Sequence, residues 1–134
     1  MQMDIKKLFS ENKGWSFVFI NNKGKVCSST KKGITPMMEL LKKDADVFEG
    51  GIIGDKVVGK AAAHLAIYGK AKAIYAKTIS EPALVLLKKW EISCTYEEKV
   101  PFIENRNRTG PCPIEEKVLD INDPAKAYKV LGGV

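Results

Sequence analysis

Residues 50–69 read GGIIGDKVVGKAAAHLAIYG. Val57, Val58, Ala61, Ala62, Leu65 and Tyr68 recur at three- and four-residue spacings, while Lys56, Lys60 and His64 fall four apart on another side. One apolar stripe and one polar ridge predict a helix that runs from Asp55 to a cap at Gly69 and packs at the centre of the fold. Gly51 and Gly54 would allow a sharp entry, Asp55 would cap the first-turn amides, and Lys56 would set an ammonium beside it. His64, on the lysine ridge, is expected to face solvent. The alanines and Gly59 keep the helix surface low, so a sheet or second helix can approach closely.

Working outward toward the C-terminus, AKAIYAKTIS (residues 71–80) alternates around Ile74, Ala76 and Ile79 and predicts a buried strand. Ser80 then caps a helix with Pro82 in its first turn and Ala83, Leu84, Leu86, Leu87 and Trp90 as its inner stripe. ISCTYEE is a further strand. A polar loop leads to Pro111-Cys112-Pro113; the second proline suits a first helical position, which makes Cys112 the N-cap and puts Glu115 third in the helix. Asp123-Pro124 opens a last short helix closed by Gly132-Gly133.

Toward the N-terminus, VFEGGII is a short strand or turn. Thr35-Pro36 marks a helix start, with Met37, Met38, Leu40 and Leu41 as core filler. WSFVFI and KVCSST flank Asn21-Asn22-Lys23-Gly24 and predict a hairpin, in which Cys27 is a small core residue. DIKKLFS is a short helix. Strand, helix, strand, helix, strand implies parallel neighbours joined by right-handed crossovers, with the hairpin at one edge. The expectation is a three-layer α/β/α fold with a mixed sheet, as a single domain over residues 1–134.

Composition narrows the function. With 45% hydrophobic residues in 134, the chain can bury a core without metal or disulfide staples, and its three cysteines, far apart and odd in number, read as free thiols. No run of about 18 apolar residues suits a membrane span, and the charged start lacks a secretory signal, so a cytoplasmic protein without membrane association is expected. The charge of +6 comes from 20 lysines and two arginines, and the lysines are dispersed. Specific nucleic-acid binding, which clusters arginine among aromatics, is not expected, although the charge favours anionic partners.

GDKVVGKAAA (residues 54–63), ISEPAL (79–84) and GPCPIEEKV (110–118) resemble an uncharacterised cytidine-deaminase-like domain-of-unknown-function family, over nearly the whole chain. The resemblance implies a cytidine-deaminase-like fold and carries no reaction with it. Zinc deaminases need H-x-E or C-x-E and P-C-x-x-C. Gly54-Asp55-Lys56 and Ser80-Glu81-Pro82-Ala83 stand at those places instead, so no metal and no cofactor are implied.

In α/β sheets ligands gather beyond the carboxyl ends of parallel strands, where helix starts offer N–H groups. Three starts would converge there if ISCTYEE runs parallel: Asp55 and Lys56, Ser80 and Glu81, Cys112 and Glu115. Each has an ordinary role as well, Asp55 and Ser80 as caps, Lys56 toward water, and Glu115 returning to its own N-cap amide. Cysteine is not a favoured cap, however, and a helix start favours its thiolate, which makes Cys112 a candidate nucleophile with Asp55 as acid or base. Arg106 and Arg108 in the preceding loop read as an anion clamp, and the glycine turn at Gly54 as a weak phosphate signal. These residues suggest a small anionic, nucleotide-like ligand and leave open whether a reaction follows. The alternatives are a non-catalytic regulatory or interaction module, as a homodimer, and RNA binding through the lysine surface.

Overall fold

The structure, a computed structural model, describes residues 4–105 and 107–133. The chain is mixed α/β, with five strands and six helices among the described residues. Helix α1 (Ile5–Glu11) is capped by Asp4, whose carboxylate accepts from Lys6 N at 3.0 Å and Lys7 N at 3.3 Å. The hairpin follows as β1 (Phe17–Ile20) and β2 (Val26–Ser29), then α2 (Thr35–Lys43), β3 (Ile52–Val58), α3 (Lys60–Tyr68), β4 (Ala73–Ser80), α4 (Glu81–Lys89) and β5 (Ser93–Val100). Helices α5 (Pro113–Val118) and α6 (Pro124–Val130) complete it. No helix among the described residues is long and apolar enough to cross a membrane.

The sheet order is β2-β1-β3-β4-β5. β1 runs antiparallel to both β2 and β3, whereas β3, β4 and β5 are parallel. On one face Phe17, Phe19, Ile53, Ile74 and Ala76 meet Met37 and Leu41 of α2, Leu65 of α3 and Leu87 of α4 in the main core. On the other face Val18 and Tyr75 pack against Phe9 of α1. Helices α5 and α6 lie against α3 through Val118, Ala61 and Ala127, and Tyr68 stacks on Tyr128 at 4.4 Å.

The central helix is shorter than its sequence periodicity suggests. Residues 52–58 form a strand, and Gly59 rather than Asp55 is the N-cap. Asp55 pairs across β3 with Phe17 on one side and Ala76 on the other. The β-branched residues Ile52, Ile53, Val57 and Val58 are good strand formers. Val57 and Val58 matched the helical spacing only because the alanines follow them at the right interval.

Several side chains differ from expectation. Lys60 and His64 are 8% and 0% exposed, not a wet ridge, because α5 and α6 cover that side of α3. Trp90 is 46% exposed, since it is the C-cap of α4 and lies beyond the inner stripe. Cys27 is exposed on β2, an edge strand with no neighbour on its outer side among the described residues. Thr35 sits inside α2, with Ile34 as N-cap.

Gly54 is a packing residue. A Cβ there would meet Val18 Cγ1 at 2.8 Å, Phe9 Cδ2 at 3.0 Å and Ile5 Cγ1 at 3.1 Å, so its absence lets α1 lie close on the sheet. Gly54→Ala is therefore expected to lift α1 and cost about 1–3 kcal/mol in urea unfolding. An unchanged midpoint would contradict this packing.

Candidate functional site

A cavity of ≈290 Å³ opens at the carboxyl end of β3. Asp55 and Val57 line it from the strand, Gly59 and Ala62 from α3, and Cys112, Ile114 and Glu115 from the last crossover. Ser16 and residues 32–34, just before α2, form its mouth. β5 is parallel to β4, and α5 returns over the same end of the sheet. Asp55, Lys56, Cys112 and Glu115 therefore share one cavity, although only the last two come from a helix start.

Glu115 does not turn back to its own N-cap. Its carboxylate accepts from Lys60 N at 2.5 Å and Ala61 N at 3.2 Å, which caps α3 from outside. Gly59 makes room: a Cβ on it would overlap that carboxylate. Burial pushes the Glu115 carboxyl above its ordinary range, and the Ala61 and Lys60 amides and the Lys60 charge pull it partly back. Lys60 then reaches the α5–α6 connection, where Nζ donates to Leu119 O at 2.6 Å and Asn122 Oδ1 at 3.1 Å. His64 Nε2 donates to Ile121 O at 2.8 Å, leaving Nδ1 buried without a partner among the described residues. Lys60 and His64, read as surface residues, are thus the anchors of the C-terminal helices on α3.

Asp55 is the unusual group. It is 6% exposed, and its one side-chain hydrogen bond among the described residues is a long one, 3.4 Å from Val57 N. Burial raises its pKa from 3.8 to about 8, against the weaker pull of the Val57 and Lys56 amides. At neutral pH this carboxyl is mostly protonated, so it can both donate and accept. Lys56 lines the cavity, but its ammonium donates to Lys13 O at 3.2 Å and does not sit beside Asp55 as an ion pair.

The remaining candidates disperse. Ser80 is the N-cap of α4, accepting from Ala83 N at 3.3 Å, and lines a neighbouring cavity that also touches Glu115. Glu81 points outward to a 3.2 Å ion pair with Lys99. Arg108, exposed and at φ +55°, borders an outer groove, and Gly54 lies on the α1 face. Arg106 lies outside the described residues. Cys112 is the N-cap of α5, and its side chain makes no capping bond.

One contributor to the site escaped the sequence reading, which predicted helix α2 but not the place of its start. Helix α2 begins at the cavity mouth, and its N-cap Ile34 supplies no side-chain bond to the first-turn amides. Lys32 lies immediately before it, and Gly33 turns there with φ +63°. The signal was KKGITP, a lysine and glycine turn running straight into a helix start. Ser16 holds this loop in place by donating to Ser29 O at 3.1 Å and to Lys31 O.

Among the described residues no three His, Cys, Asp or Glu side chains come together as a metal-binding group. The positions opening α3 are Gly59-Lys60-Ala61, five residues beyond the place assigned to them from the sequence.

A family model described as TM1506, domain of unknown function (DUF1893), matches residues 4–133. The chain is also similar to the crystal structure of a DUF1893 family protein from Thermotoga maritima, with 35% identity and a TM-score of 0.84. That similarity covers 95% of this chain and 84% of the other. No curated protein matches it.

The protonation of Asp55 has a measurable consequence. The folded state retains a proton that the unfolded chain releases near its ordinary pKa of 3.8, so this contribution to stability is full below that value and is lost as pH rises through about 8. His64 has the opposite sign, because burial lowers its pKa, but the unfolded imidazole is already mostly neutral above about 6.5. Between about pH 6.5 and 8 Asp55 should remove stability by up to about 1.4 kcal/mol per pH unit. Asp55→Asn, compared with wild type by urea unfolding across that window, isolates this slope from Glu115 and Lys60. Equal slopes in the two proteins would contradict the raised pKa.

Proposed function

The chain belongs to the DUF1893 family, whose description assigns no reaction, and from that starting point we propose that it binds a small nucleotide-like ligand in the Asp55 cavity. The observation that carries the proposal is the Asp55 carboxyl itself, buried in a cavity wall with one weak hydrogen bond among the described residues. Burying a polar group without good partners costs free energy, which a ligand with complementary groups recovers. A protonated carboxyl offers one donor beside one acceptor and complements the amide or amidine edge of a heterocycle.

The ligand's anionic part belongs at the mouth. The starts of α3 and α4 are already capped by Glu115 and Ser80, so they do not serve as anion sites. Lys32, Gly33 and the uncapped start of α2 supply the positive end instead. In this proposal Cys112, in the same cavity, is the nucleophile available to a bound ligand and Asp55 the acid or base.

We also propose that the scaffold is a cytidine-deaminase-like one that works without the zinc motifs. Its support is the order of elements: an antiparallel hairpin, then three parallel strands with helices after the first two. The alternative, an interaction module, draws on exposed apolar side chains such as Val85 and Leu119.

The test is ¹H–¹⁵N NMR titration of the full chain with the four ribonucleosides, their 5′-monophosphates and inorganic phosphate. Nucleotides are expected to shift the amides of Asp55, Ala62 and Cys112, and phosphate alone only those of residues 32–35. Asp55→Ala is expected to weaken nucleotide binding about tenfold, equivalent to about 1.4 kcal/mol. Binding indifferent to Asp55, or none from the panel, would favour the interaction module.

A further inference from the structure

The cavity at Asp55 has a neighbour. A second cavity, of ≈200 Å³, lies where Ser80 and Pro82 at the start of α4 face Phe102 and Leu119. Two side chains belong to the walls of both cavities, Ile103 and Glu115. Glu115 is tied to α3 by its two hydrogen bonds. Ile103 has no such anchor. It opens a small hairpin that joins α5 at Cys112, whose carbonyl accepts from Glu116 N at 3.1 Å, and that is otherwise bonded within itself among the described residues. Cys112 N donates to Ile103 O at 2.9 Å, Asn105 N to Gly110 O at 2.8 Å, and Thr109 N to Asn105 Oδ1 at 3.0 Å. Among the described residues Ile103 is therefore held through its partner strand at Cys112, and not by a hydrogen bond of its own to α3 or α4.

The chemistry of the second cavity is apolar. Three of its polar residues are engaged, Ser80 Oγ with Ala83 N, Lys60 Nζ with Leu119 O and Asn122 Oδ1, and Glu115 with the α3 amides, while Glu116 stands at its exposed edge. Pro82, Phe102, Ile103 and Leu119 remain as the available surface. The second cavity alone falls below the roughly 300 Å³ at which sites for drug-sized ligands begin and the first stands at that bound; joined, they exceed it.

We propose that the second cavity is an apolar subsite of the ligand site, partitioned from it by Ile103, and that it accepts a flat aromatic or hydrocarbon moiety of the molecule held at Asp55. Ile103 is then the residue that sets how large a ligand the site takes. The proposal rests on the Asp55 cavity being a ligand site, but its test does not depend on which ligand that is.

Indole serves as the probe, titrated into the full chain and followed by ¹H–¹⁵N NMR. Wild type is expected to show weak binding with shifts at Ser80, Phe102 and Leu119. Ile103→Ala joins the cavities and should bind indole at least about fivefold tighter, with shifts extending to Ala62 and Cys112. Ile103→Trp fills the partition and should abolish the shifts at Ser80 and Phe102. An Ile103→Ala protein with a native-like spectrum and unchanged indole affinity would overturn the proposal. Should that variant unfold, indole shifts at Ser80 and Phe102 persisting in Ile103→Trp would overturn it equally. Asp55→Asn leaves the indole response intact under the proposal. Loss of nucleotide binding in that variant is thus read separately from failure of the subsite.

Discussion

A carboxylate from one helix closes the start of another, and most of what surrounds it follows from that contact. Nearly all of α3 is buried, so its first-turn amides have no water to bond. Its N-cap is Gly59, which has no side chain to offer. Glu115 supplies the missing acceptor from 55 positions away, bonding Lys60 N and Ala61 N, and fits because Gly59 leaves the space of a Cβ unfilled. Each bond from a backbone amide to a charged acceptor is worth roughly 1.5–3 kcal/mol, more than a surface ion pair. The contact fixes α5, and α5 in turn places Cys112 and Ile114 on the cavity wall. Lys60 and His64 complete the attachment through the carbonyls of Leu119 and Ile121.

The same contact decides the electrostatics of the site. The helix start that would otherwise attract an anion from solution already holds one from within the chain. Positive potential is displaced to the mouth, where α2 begins uncapped beside Lys32. The depth of the cavity holds two carboxyls, Asp55 and Glu115, both pushed toward the protonated form by burial. Glu115 is satisfied by amides and is structural. Asp55 has, among the described residues, only a long bond to Val57, and under the proposed function it is the group that meets the ligand. The cavity therefore has two unlike ends, and the proposed ligand is correspondingly polar in two different ways.

Much of this was legible in the sequence where one local rule was enough. Alternation identified β1 and β4, Ser80 and Cys112 were recognisable as N-caps from the prolines after them, and the parallel sense of three successive strands followed from the alternation of elements, although the first of them was read as a strand or turn at residues 47–53. The rest depended on partners distant in sequence. Asp55 and Lys56 read as a helix start because Val57 and Val58 happen to stand in phase with the alanines of α3; the β-branched run ending at Gly59 was the better signal. His64 and Lys60 looked exposed because their acceptors are main-chain carbonyls and an asparagine 57 to 62 residues on, which no side-chain pattern reveals. Glu115 was placed correctly in its own helix, but its target was assigned locally, to a capping box, when the available amides were those of α3. Gly54 belonged to the packing of α1 and not to a phosphate turn, a distinction made by Val18 and Phe9 across the sheet.

The central claim is that Glu115 and Gly59 form one interlocking unit, and a double-mutant cycle measures it directly. Glu115→Ala alone should cost about 2–3 kcal/mol in urea unfolding, because two buried amides lose their acceptor. Gly59→Ala alone should cost about 2 kcal/mol, since its methyl group expels the same carboxylate. Together they should cost little more than Glu115→Ala, a coupling of at least about 1 kcal/mol, because the carboxylate can be lost only once. Additive effects within about 0.3–0.5 kcal/mol would mean that the two residues act independently, and the account of how α3, α5 and the cavity are held together would be wrong.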